Sequence, residues 1–159
     1  MFIDALLVFD MGTYVSTTGM IGVNQFASGA TTTSTNTIDL GTGRDLGDAG
    51  TGQTNLTAVV MITTAYVGGT SLNVQFQGSS DNVTWTTYSE TGAVPVASLG
   101  VGQRLSLPLP SVNPDQGVAP RYYRLQYVNV GANTAGAVIA WLGDPDDNRY
   151  YKPGIVVSN

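Results

Sequence analysis

The chain has no histidine and no cysteine, and its single lysine and single glutamate are Lys152 and Glu90. Each absence removes a class of chemistry. Histidine is the usual general base and the commonest metal ligand, and cysteine supplies thiolate nucleophiles, disulfides and soft metal sites. Charge of either sign is scarce, at 11% of residues, and the balance is -5. With no run of Lys or Arg, such a surface repels phosphate backbones, so nucleic acid is not an expected partner. A membrane is not expected either. The apolar start, Met1 to Asp10, lacks a basic flank, is interrupted by Asp4 and Asp10, and has an apolar stretch from Ala5 to Phe9 too short for a signal-peptide core or a membrane span. It reads as a docking arm, set either on the chain's own core or on a neighbouring subunit.

What is present fits a passive folded domain. The 159 residues are 42% hydrophobic, enough to bury a core without a metal or disulfide. From Met11 to Thr37 the chain turns to Gly, Thr, Ser and Asn, ending in Ala30-Thr-Thr-Thr-Ser-Thr-Asn36. Ordering such a segment costs entropy and buries little. Residues 1–37 are therefore expected to form an N-terminal arm and loop, and residues 38–159 the folded domain with a short C-terminal tail.

Within that domain the chain reads as strands separated by turns. Leu72, Val74 and Phe76 alternate with Asn73, Gln75 and Gln77, the period of a strand with one face buried. Gly78 to Asn82 is turn chemistry and Val83 to Tyr88 resumes alternation, which predicts a hairpin. A second hairpin is predicted from Arg121–Val128 and Ala137–Leu142 around a turn at Gly131–Gly136. Leu56–Ile62 and Arg104–Leu109 supply further strands, the latter with Pro108 and Pro110 suited to an edge or strand end. Nothing carries long helical periodicity. Strands with no helix to cover them require sheets that cover one another, so the expected class is all-β, an antiparallel two-sheet β-sandwich or jelly roll with an extended N-terminal arm.

The run Ser34-Thr-Asn-Thr-Ile-Asp-Leu-Gly-Thr-Gly-Arg-Asp-Leu-Gly47 resembles the signature of the Bbp16 family of tailed-bacteriophage capsid decoration, or cement, proteins. Leu72–Gln77 followed by Ser80-Asp-Asn82 is similar to that family's central hairpin, Arg121–Tyr127 to its late strand, and Arg149-Tyr-Tyr-Lys-Pro-Gly154 to its tail. The stretch from Met11 to Ala30 departs from the family by its length. The resemblance implies a jelly roll on the outer surface of the virion head, made in the host cytoplasm, that bridges adjacent major capsid protein subunits. It implies no catalytic residue, cofactor or metal.

Interfaces concentrate energy in a few buried aromatic or Arg side chains. The candidate capsid or intersubunit contacts are Phe2, Ile3, Leu6 and Phe9 in the arm, Arg44 in the Gly-rich turn, and Arg149, Tyr150 and Tyr151 in the tail. Trp85 and Tyr88 are read as packing across the first hairpin. Arg44 also has a structural reading, a turn in which it pairs with Asp39 or Asp45; the turn lacks the lysine and following helix of a phosphate loop. Asp144-Pro-Asp-Asp-Asn148 has calcium-like alternation but no central glycine or distal glutamate, and reads as a solvated turn. Glycoside hydrolysis needs one carboxyl kept protonated by burial, and most of the aspartates sit among Gly, Asn or Pro in turns that water reaches, so the chain is not expected to be an enzyme. The rival reading is a β-sandwich carbohydrate- or receptor-binding module on the virion. Self-association is expected as a dimer, with a trimer as the alternative.

Overall fold

Two strands carry the architecture, and both are longer than the sequence pattern suggests. The computed structural model describes residues 5–26, 28–43, 56–109 and 119–143. In it β7 (Thr57–Ser79) and β11 (Tyr122–Gly143) pair antiparallel from Tyr122↔Ser79 to Gly143↔Thr57. The runs at 56–62 and 72–77, read separately from sequence, are thus one strand of 23 residues. The second predicted hairpin is corrected: residues 122–143 are a single strand, and Gly131–Gly136 is not its turn. Both halves of β11 find ladder partners along the equally long β7, so neither half needs to pair with the other. The register shifts between Val130 and Val138, where Gly131 takes φ 88 opposite Gly69. Bulges of this kind bend a strand and sharpen its twist.

Around this ribbon the sheet divides into two halves. Beside residues 57–64 and 137–143 lie β10 (Arg104–Pro108) on the β7 edge, and β1 (Val8–Asp10) and β4 (Val23–Asn24) on the β11 edge. Beside residues 71–79 and 122–130 lie β8 (Thr86–Glu90) and β9 (Val94–Pro95) on the β7 edge, and β5 (Thr31–Thr33) and β6 (Ile38–Asp39) on the β11 edge. The first predicted hairpin is present, with Gln75↔Glu90 and Gln77↔Thr87 in register. β10 pairs with β7 alone among the described residues, and Pro108 stands in it where an edge tolerates a missing donor.

The predicted all-β antiparallel class holds, as a nine-stranded sheet and a separate two-stranded sheet formed by β2 (Thr13–Val15) and β3 (Gly19–Ile21). The inner faces of both halves share one core. Ala58, Val60, Ile62, Val138, Ala140 and Leu142 come from one half, and Leu72, Val74, Phe76, Leu125 and Tyr127 from the other. Phe9 bridges them, its ring edge-on to Phe76 at 6.2 Å between centroids. The outer face of the first half carries a second buried cluster, Val8, Val59, Ile139 and Trp141. The segment read as an N-terminal arm therefore contributes β1, β4 and β5 to the main sheet, because its apolar residues complete the core and its polar ones pair with β11.

Candidate functional site

Asp10 explains how a Thr- and Ser-rich segment becomes ordered. It ends β1 with no exposed surface, and its carboxylate accepts four hydrogen bonds. Oδ1 receives Gln25 Nε2, the Thr35 N–H and Thr35 Oγ1, each at 2.9 Å, and Oδ2 receives the Tyr127 hydroxyl at 2.6 Å. A carboxylate removed from water requires such donors. Burial first, and then the negative charge of Asp10, push the Tyr127 hydroxyl well above its ordinary pKa and raise that of Tyr66 as well. Tyr66 extends the network by donating to the Gln25 carbonyl at 3.1 Å.

The signature run takes its place around this clasp. Ser34 Oγ accepts the Leu125 N–H at 3.1 Å and donates to the Asn36 carbonyl at 2.9 Å. The Asn36 N–H reaches the Phe9 carbonyl at 2.9 Å. Asp39 takes two hydrogen bonds from Arg121, Nε to Oδ1 at 2.6 Å and Nη2 to Oδ2 at 2.8 Å. That guanidinium first, and the Gly41 N–H second, hold the Asp39 carboxyl down to about 2. The partner of Asp39 is thus Arg121, the residue just ahead of β11, a pairing that the sequence reading of Arg44 did not include. These residues knit β1, β6 and β11 together, which gives the first part of the motif a structural role.

The outer face of the second half is a polar lattice. Asn73 and Gln75 both donate to Glu90 Oε2, at 2.8 and 3.0 Å, which lowers the Glu90 pKa. Gln77 donates to Gln126 Oε1 at 2.8 Å and accepts Arg124 Nε at 2.9 Å. The Arg124 guanidinium lies 4.1 Å from the Trp85 ring centroid. Trp85 therefore packs across two strands onto β11, while Tyr88 is half-buried against the core.

Of the candidate contact residues, Leu6 is 81% exposed and rims a groove formed with Thr35, Asn36 and Thr37. Phe9 has no exposed surface, so it belongs to the chain's own core and is corrected as a surface contact: the inner face of β1 leaves its ring nowhere else to go. Phe2, Ile3, Arg44, Arg149, Tyr150 and Tyr151 lie outside the described residues, as does the acidic cluster Asp144–Asn148. The residues that sequence reasoning missed are Asp10 and Tyr127, which are 117 positions apart and show no local pattern.

Residues 23–142 match the family model of Bbp16. The chain belongs to the Bbp16 family. Bbp16 is a phage-associated family, and the matched span holds the Ser34–Asp39 clasp, the Asp39–Arg121 pair and nearly all of both long strands. The part of this Bbp16 chain ahead of the match contains Asp10 and the β2–β3 hairpin. No curated protein matches the chain.

Proposed function

We propose that this chain is a structural protein of a tailed-phage head, and that it decorates the outer capsid surface and cements it by bridging adjacent major capsid protein subunits. The family match over residues 23–142 carries the reading. A rigid core with a hydrogen-bonded polar exterior suits a domain whose work is to hold contacts, and a sequence without histidine or cysteine suits one with no chemistry to perform. Leu6 is a capsid contact on this account, since it presents an apolar side chain to solvent at the start of the fold. Phe2, Ile3, Arg44, Arg149, Tyr150 and Tyr151 are its further proposed contacts.

The test is to add purified protein to expanded, decoration-free heads and to sediment the mixture. Saturable binding in near-equal number to the major capsid protein is the expected result. Absence from the pelleted heads, together with saturable binding to host glycans, would replace the proposal with a receptor-binding module.

A further inference from the structure

Two arginines lie close together about the start of β11 and meet opposite surroundings. Arg121 is paired to both carboxylate oxygens of Asp39, which raises its pKa. Arg124 has no such partner, because the Arg121–Asp39 contact is the one ion pair among the described residues. Burial lowers the pKa of Arg124, with no carboxylate to raise it.

The Arg124 guanidinium is nevertheless held in place. It lies 4.1 Å from the Trp85 ring centroid, and its Nε donates to Gln77 Oε1 at 2.9 Å. Gln77 is buried and cannot turn away, since its own Nε2 donates to Gln126 Oε1 at 2.8 Å and to Thr87 Oγ1 at 3.2 Å. The two Nη groups of Arg124 are left without a hydrogen-bond partner among the described residues. A half-buried, ordered and unpaired cation has already lost part of its hydration and rotamer freedom, the costs that make most surface ion pairs weak.

Shape and charge indicate what completes the fork. Two N–H donors in one plane match a carboxylate, which is the pairing that favours Arg over Lys. A polyanion would meet one cation on a chain of net charge -5, whereas a single carboxylate set in a neutral surface suits one fork set in a lattice of amides. A second copy of the chain offers no free carboxylate among the described residues. Asp10 is buried, Asp39 is taken by Arg121, Asp81 by the Val83 and Thr84 N–H groups, and Glu90 by Asn73 and Gln75. We infer that the Arg124–Trp85 platform receives an Asp or Glu side chain of the major capsid protein, which turns the outer face of the second half toward the capsid. The inference rests on the capsid-binding reading and adds to it the face and the chemistry of the contact.

Binding of the full chain to expanded, decoration-free heads, measured by sedimentation from about 50 to 500 mM NaCl, tests it. Arg124→Gln weakens binding by about 30-fold or more, the loss for removing one partner of an enclosed charge pair. Arg124→Lys keeps the charge without the fork and binds more weakly than wild type, which carries the test if the glutamine variant does not fold. Wild-type affinity falls as salt rises, and that of Arg124→Gln falls less steeply. Arg104→Gln removes the same charge from β10, in the other half of the sheet, and leaves the affinity unchanged. An Arg124→Gln chain that keeps native circular dichroism and binds heads like wild type would overturn the inference and leave the capsid reading standing. So would an Arg124→Lys chain equal to wild type, or an Arg104→Gln loss as large as that of Arg124→Gln. A wild-type chain that binds no heads at any salt concentration would overturn both.

Discussion

Asp10 accepts from four donors and donates to none, which makes its chemistry unusually easy to test. Asp10→Asn keeps the shape but turns an N–H toward a hydrogen that is already donating, and the chain should lose about 1–3 kcal/mol in urea unfolding. Tyr127→Phe leaves Oδ2 without its hydroxyl partner and should cost a similar amount. In the double variant the two losses should not add, because both break the same bond. Full additivity would show that Asp10 and Tyr127 act separately. This residue was the least legible part of the sequence. An aspartate at the end of an apolar run looks like a boundary, and its donors lie 15, 25 and 117 positions away.

At the scale of elements, the strands were readable where one face is dry and the other wet, as at Leu72–Gln77, because alternation is a local consequence of burial. Their continuity was not. Gly131–Gly136 has the composition of a turn, yet it lies within β11, since what decides between a turn and a bulged strand is the partner opposite. Among the candidate contacts, burial separates two near neighbours. Leu6 lies exposed where an arm should be, whereas the ring of Phe9, three positions on, is taken by the core. For the hairpin, Gly22 is the position to probe. A Cβ there would collide with Thr63 Oγ1 and the Val138 carbonyl. Gly22→Ala should lift the hairpin off the sheet, at a cost of about 1–3 kcal/mol for overpacking. Amide exchange should then rise at 13–15 and 19–21 while the core of β7 and β11 stays protected. Unchanged exchange in the hairpin would mean that Gly22 does not anchor it.

For the whole molecule, the missing side chains predict a broad plateau in stability against pH. No side chain in this composition has an ordinary pKa between pH 6 and 8, so both the melting temperature and capsid binding should be nearly constant there. The edges follow from the shifted groups. Asp39 has a folded pKa of about 2 against an ordinary 3.8, so its stabilisation is present above pH 3.8 and is lost as the pH falls toward 2. Tyr127 is raised above its ordinary 10, so the fold keeps its full contribution below pH 10 and loses it as the pH climbs beyond. A melting temperature that changes steeply between pH 6 and 8 would contradict this scheme.

The bridging role itself is most directly tested by reconstructing expanded phage heads saturated with the purified chain by cryo-electron microscopy. The expected map shows a β-domain on the outer surface whose density touches two neighbouring major capsid protein subunits, with Leu6 at a contact. Density confined to a single subunit, or an outer surface left bare at saturating protein, would contradict it.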